Sequence, residues 1–243
     1  MILTFYQIPK IDSIFILSLL VSSSLSVVAA LLAYKAIKES DISLVNPISA
    51  FNPVFTSLVS FFTLKEVIGV KGALGILFIV VGAYLLQISK FKKGVLEPFK
   101  ALIVHKGVQM SFLAYFIWSI TPIFEKTAIL HTTPGVPPFA SLIGGLIAIP
   151  VYLILVRKEI KSIPFQIKVN FKTLLLIGAV GAVGQTCAYM AFSLTNLGFA
   201  TAIFKLSMVF TVILGWIFFK EKDIKQRLLG SLVMLIGVTL LIA

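Results

Sequence analysis

Apolar runs of about twenty residues recur along the chain, separated by short polar or basic breaks. They fall at 13–34, 42–63, 67–88, 109–130, 137–156, 173–194, 199–219 and 226–242. A helix that crosses the hydrocarbon core of a bilayer needs roughly 20 such residues, so the pattern predicts about eight spanning helices. Asp41, Lys65-Glu66, Thr133-Pro134-Gly135, Asn196 and the stretch from Glu221 to Asp223 mark most of the breaks. Two longer basic connectors, 89–108 and 157–172, contain Pro98 and Pro164 and read as interfacial loops. The first run follows Lys10 and ends near Ala33-Tyr34-Lys35-Ala36, the outline of a secretory signal. It is longer than a signal core and has an interior counterpart described below, so it reads as a span.

Composition narrows the solvent. Apolar residues make up 59% of the 243 residues and charged residues 12%, and the mean hydropathy is +1.08. Soluble domains sit nearer 45–50% apolar and about 25% charged, so this chain has too little polar surface to coat a globule in water. The expected fold is therefore all-α, a polytopic transmembrane helix bundle. The net charge of +12 comes from 21 basic residues clustered between the apolar runs. Such placement is a membrane-topology signal rather than a nucleic-acid footprint.

Candidate chemistry for catalysis is thin. Cys187 is the single cysteine, so there is no intrachain disulfide and no thiolate metal site. His105 and His131 are dispersed, and neither a phosphate loop nor a GxSxG elbow is present. No metal, no cofactor and no enzymatic activity are expected. The expected partners are a small-molecule substrate and the lipid bilayer, with no nucleic acid; a homodimer stays open.

An internal repeat organises the spans. Displaced by 155 residues, positions 19–88 lie on 174–243 without a gap. Matches include Val28/Val183, Ala33/Ala188, Tyr34/Tyr189, Ala36/Ala191 and Ile48/Ile203. They continue with Val54-Phe55-Thr56 on Val209-Phe210-Thr211, Lys65-Glu66 on Lys220-Glu221, Gly75/Gly230 and Gly82/Gly237. Apolar bias accounts for matched leucines, but not for the aligned Tyr, Lys-Glu and paired glycines. Between Glu66 and Glu221 the predicted chain crosses the membrane an odd number of times, so equivalent residues face opposite sides. Inverted repeats of this kind build alternating-access transporters, with a substrate site between the repeats near mid-membrane.

The repeated unit resembles the EamA-type repeat of the drug/metabolite transporter superfamily. The resemblance rests on Pro53 in mid-span, Glu66, and then Gly75 and Gly82 in the next helix. Glu221, Gly230 and Gly237 match in the second copy, where Met208 stands in the proline position, and Gly107, Ala114, Trp118 and Lys126 resemble the opening helix of a repeat. The resemblance implies ten helices, five plus five, around a central cavity. Here residues 1–88 carry an incomplete first repeat of three helices, 89–108 a basic connecting loop, and 109–243 a complete second repeat of five. On that count two further helices are expected upstream of Met1.

Polar residues at depth supply the candidate site. Lys205 lies about six residues into the run 199–219, where a charge is costly unless it faces a cavity or a partner; the rival reading is a lysine snorkelling to the interface. Related organophosphate antiporters, by resemblance, use basic residues near this point to hold anions. Asn46, Ser49 and Asn52 fall on one side of the run 42–63, next to Pro47 and Pro53, whose freed carbonyls a cavity could use; interhelical packing is the alternative. Trp118, Ser119, Thr121 and Glu125 lie on 109–130, with a kink expected at Pro122. Trp118 is too deep for an interfacial belt. Glu125 forms either an interfacial ion pair with Lys126 or, inside the cavity, a proton-coupling group. Gln185 is a further polar group at depth, a ligand or a helix contact. Glu66 and Glu221 read as structural end markers, and Gly144, Gly145, Gly178, Gly181 and Gly184 as sites of close helix approach.

The function expected is that of a secondary permease moving a metabolite, amino acid or drug-like compound by alternating access. The alternatives are a non-transporting or flippase-type subunit and a membrane-embedded enzyme. The location expected is the cytoplasmic membrane of a prokaryote. The basic loops share one side by parity and, by the positive-inside rule, place both termini outside; the resemblance implies both inside.

Overall fold

In a computed structural model the chain is described at residues 9–40, 46–88, 96–133, 136–157, 163–219 and 224–242. Helix α1 spans Ser13–Glu39, followed by a 3₁₀ turn at Asn46–Phe51, α2 at Asn52–Leu64, α3 at Val70–Ile88 and α4 at Glu97–Val104. Next come α5 at Lys106–Leu130, α6 at Pro137–Leu155, α7 at Ile163–Leu194, α8 at Leu197–Phe204, α9 at Ser207–Phe219 and α10 at Ile224–Ile242. A two-residue antiparallel bridge pairs Lys10 with Thr133 and Ile11 with Thr132. The all-α expectation holds, and the chain is a multi-pass membrane protein.

Among the described residues, four helices are long and apolar enough to cross a membrane: Ser13–Glu39, Lys106–Leu130, Pro137–Leu155 and Ile167–Leu194. Four shorter apolar helical stretches, Ile48–Leu64, Val70–Leu86, Leu197–Thr211 and Leu229–Leu241, coincide with the other predicted runs.

Three expectations need correction. The runs 42–63 and 199–219 are not continuous helices. In the first, the 3₁₀ turn ends at Phe51 and α2 begins at Asn52 with Pro53 in its first turn; proline removes a donor and clashes with the preceding turn. In the second, α8 ends at Phe204 and α9 restarts at Ser207, although no proline is present. Tight bonds run across the gap, Leu206 N–H to Ile203 C=O at 2.9 Å and Met208 N–H to Lys205 C=O at 3.0 Å. The connectors are not loops throughout either: 89–108 contains α4, and 157–172 is helical from Ile163, with non-helical dihedrals at Asn170.

Helix boundaries follow the repeat. Asn52 and Ser207, which open α2 and α9, stand 155 residues apart, as do Leu64 and Phe219, which close them, and Glu39 and Leu194, which close α1 and α7. The duplication therefore reaches the place where each broken helix breaks.

The described chain divides into two compact units. One comprises 28–123 and 195–243, and its core joins Ala50, Ile76, Ile79, Val80, Ala83 and Met234. Here α3 and α10, equivalent in the repeat, pack antiparallel through glycines. A Cβ on Gly75 would stand 2.8 Å from Gly237 C=O, and one on Gly237 would stand 2.7 Å from Gly75 C=O. Gly82 and Gly230 repeat the reciprocity at 2.6 and 2.9 Å. Since the repeat sets Gly75 on Gly230 and Gly82 on Gly237, the contact maps onto itself with its partners exchanged. That is the signature of two inverted copies about a local two-fold axis.

The other unit comprises 1–27 and 124–194. Phe15, Leu19, Ala128, Ile129, Ala140 and Tyr189 form its core, and Phe15 stacks on Phe139 with ring centroids 5.9 Å apart.

Candidate functional site

Within the 28–123/195–243 unit the broken helix of the first repeat meets α5. Asn52, at the start of α2, donates through Nδ2 to the Tyr115 carbonyl at 3.1 Å. The Tyr115 hydroxyl meets Ser49, and the Tyr115 ring lies 5.6 Å from that of Trp118. Phe55 packs edge-on against Phe112 and Phe116, at 5.8 and 5.7 Å, holding α2 on α5. The structure thus brings three predicted residues, Ser49, Asn52 and Trp118, together around Tyr115. Ser49 is buried and Asn52 and Trp118 half-buried. The Asn46 side chain lies outside the described residues.

Lys205 occupies the break itself. It caps the C-terminal end of α8 and its backbone links α8 to α9; it is half-buried rather than displayed at the surface. Placed at a break, a lysine stands beside carbonyls that a continuous helix would use up. The equivalent break in the first repeat carries Ala50, Ser49 and Asn52 instead.

Two predicted residues fall in the 1–27/124–194 unit. Glu125 is 5% exposed and accepts a hydrogen bond from Ser22 Oγ at 3.0 Å. Tyr189 directs its hydroxyl to the same carboxyl, and Gln185 hydrogen-bonds to that hydroxyl from an exposed position on α7. Ser23 Oγ donates to Gly144 C=O at 2.9 Å. A Cβ on Gly144 would stand 3.0 Å from the Tyr189 hydroxyl, so this glycine makes room for it. Glu125 is thus turned into the helix cluster, not toward an interface.

Glu66 has a different task. Its Oε2 accepts the Leu197 N–H at 2.8 Å, capping α8 from 131 residues away. A largely apolar hollow of about 450 Å³ adjoins it, lined by Val54, Ser57, Phe61, Glu66, Val67 and Leu77 among others; none of the predicted site residues lines it. Glu221 lies outside the described residues.

Sequence reasoning missed Tyr115, Ser22 and the role of Tyr189. Tyr189 was visible as the repeat partner of Tyr34, and Ser22 as part of a serine run in an apolar helix. Neither signal says which way a side chain turns. Among the described residues there is no group of three or more His, Cys, Asp or Glu that could hold a metal ion. What the arrangement offers is neutral hydrogen-bonding groups and aromatic faces beside a helix break, suited to binding a small solute.

Comparison with known proteins agrees with this picture. The model of the EamA-like transporter family matches residues 1–88 and 105–243. An uncharacterized protein of Methanocaldococcus jannaschii is 36% identical over 70 residues, 29% of this chain and 51% of its own length. The chain therefore spans about half the length of that curated relative. A solved crystal structure shares the fold with a TM-score of 0.67, covering 93% of this chain and 88% of its own, at 12% identity.

Proposed function

From the premise that the chain belongs to the EamA-like transporter family, we propose that it is a secondary permease that moves a small metabolite, amino acid or drug-like compound by alternating access. Membership in a transporter family sets transport above catalysis. The proposed site lies between the repeats, where the broken helix of the first (Ser49, Asn52) meets the opening helix of the second (Tyr115, Trp118). The observation that carries the reading is the recurrence of the helix break at equivalent positions, Asn52 and Ser207. Discontinuous helices free backbone groups at depth, and transporters use such groups to hold solutes. Lys205 at the second break supplies a positive charge, so a carboxylate or other anionic group on the substrate is favoured. The cytoplasmic membrane of a prokaryote is the location this reading assigns.

Uptake of a labelled metabolite library into vesicles containing the purified full chain tests the function. Accumulation of at least one compound is expected. Lys205→Ala and Lys205→Gln are expected to abolish that uptake while leaving membrane insertion intact. Unaltered uptake in both variants would remove Lys205 from the site.

A further inference from the structure

Glu125 has no use in the substrate site just described, yet it is the more deeply placed of the two acids described in its unit. It lies five residues before the end of α5, roughly 8 Å from that end at 1.5 Å per residue. Two helices give it partners, α1 through Ser22 and α7 through Tyr189, and Gly144 of α6 meets both of those helices. Its carboxyl partners are hydroxyls, Ser22 Oγ at 3.0 Å and Tyr189. Ser22 is 1% exposed and Tyr189 2%, so water does not complete the shell.

The ionisable groups on each packing element are few. Between Ser13 and Val27, α1 carries none. On α6 there is Tyr152, 43% exposed. On α7 there are Tyr189, the exposed Cys187, and the exposed Lys168 and Lys172 at least seventeen residues before Tyr189. On α5 within this unit there is Lys126, next to Glu125 in sequence but not among the groups that act on its carboxyl. Asp12 and His131 pair with each other at 2.7 Å at the unit's exposed end. Among the described residues, the groups that reach the Glu125 carboxyl are the hydroxyls of Ser22 and Tyr189.

A carboxylate taken from water into such a place without a cation gives up most of its solvation, whereas a carboxylic acid, which both donates and accepts, gives up far less. The occluded arrangement therefore favours the acid over the anion, although the two hydroxyls donate to the carboxyl and partly offset that bias. Opening the cluster to water relieves the bias. A group with that property crosses the closed state more readily when loaded.

Resting on the permease reading above, we propose that the Glu125–Ser22–Tyr189 cluster is a proton-carrying site that couples transport to the proton gradient. Glu125 gains a proton when the cluster opens to the acidic side and loses it when the cluster opens to the other. Ser22 and Tyr189 hold the acid in place while it is closed off, and Gly144 leaves room for the Tyr189 hydroxyl.

Two measurements on the full chain in vesicles test this. The first needs no substrate: infrared difference spectra across a pH titration, for the wild type and Glu125→Gln. A buried carboxylic-acid band that the variant lacks is expected; identical spectra would overturn the proposal. Replacement of the band by a carboxylate signal on adding sodium alone would overturn it in favour of a metal-cation site. The second uses the labelled metabolite library with the membrane potential clamped at zero and a pH gradient of one unit. One coupled proton gives about tenfold accumulation in the wild type. Glu125→Gln keeps the side-chain shape and hydrogen bonds, so it is expected to equilibrate the same compound without accumulating it. A variant that still accumulates tenfold would overturn the proposal. If the wild type moves nothing in the library, the permease reading fails on that arm, and the spectra still decide whether Glu125 carries a proton.

Discussion

Two sets of glycines on apolar helices have opposite surroundings. Gly75, Gly82, Gly230 and Gly237 bring α3 and α10 so close that any Cβ would strike backbone atoms of the partner. Gly178, Gly181 and Gly184 on α7 have no described neighbour within 4 Å of where a Cβ would sit. The first set welds equivalent helices of the two repeats. The second set leaves a helix smooth without placing anything against it. The two compact units differ as well: in one, two equivalent helices meet backbone to backbone at glycines, and in the other, apolar side chains such as Phe15, Leu19 and Ala140 form the core.

The sharpest way to break the comparison is to make the same substitution in both sets. Gly82→Leu must push α3 away from Gly230 C=O and Met234 N–H, 2.6 and 2.7 Å from its Cβ. Backbone cannot rotate aside, so a loss of about 3 kcal/mol or more is expected. Gly178→Leu enters open space, and an effect within about 0.5 kcal/mol is expected. Thermal unfolding of the two purified variants in one detergent checks this. Equal losses would mean that α7 is packed as tightly as α3.

Much of this was legible in the sequence, and what was not has a common physical cause. Run lengths located the spans because a bilayer imposes a fixed thickness, and the matched Gly75/Gly230 and Gly82/Gly237 identified the duplication. Position along a helix was therefore readable. Facing was not. Gly178 read as a site of close approach and Gly82 only as a repeat match, because a glycine records no partner. Glu125 read either as an interfacial ion pair with Lys126 or as a proton-coupling group, because adjacent residues on a helix point about 100° apart and the sequence does not say which way each one turns. The breaks near Phe51 and Leu206 were hidden for opposite reasons. Pro53 announces the first but was read as a mid-span proline that frees carbonyls within one span, and nothing at Met208 announces the second. Of the candidate site, Ser49, Asn52 and Trp118 were singled out in the sequence as polar or aromatic residues within apolar runs; Tyr115, which joins them, carries no signal of its own in an aromatic-rich helix.

A middle-sized effect separates the units through their acids. Glu66 holds the start of α8 across 131 residues of sequence, at 9% exposure. Removing a carboxylate that accepts a buried N–H leaves that donor unsatisfied, at about 1.5–3 kcal/mol. Glu66→Ala is therefore expected to destabilise the chain by that amount and to increase amide exchange at Leu197. Glu66→Gln retains an acceptor and is expected to lose less. Unchanged exchange at Leu197 in the alanine variant would show that α8 is fixed by packing alone.

The smallest effect concerns the same kind of bond at the exposed end of the other unit, where the acid is local and in water. Asp12 Oδ1 accepts the Phe15 N–H at 2.8 Å, and His131 Nδ1 lies 2.7 Å from Asp12 Oδ2. The Phe15 N–H, and after it the His131 ring, hold the Asp12 carboxyl below the usual carboxylate range. A carboxyl whose folded value is depressed adds stability above its unfolded value, and that addition disappears as pH falls through the folded value. The contribution is therefore present at neutral pH and lost below about pH 4. Asp12→Ala removes it at every pH, so the gap in thermal midpoint between wild type and variant is expected to shrink toward zero on acidification. The gap at neutral pH should be smaller than that of Glu66→Ala, because water already satisfies both partners of an exposed bond and salt screens the charge. Adding salt at neutral pH should narrow it further. A gap that ignores both pH and salt would mean that Asp12 acts on α1 through its shape and not its charge.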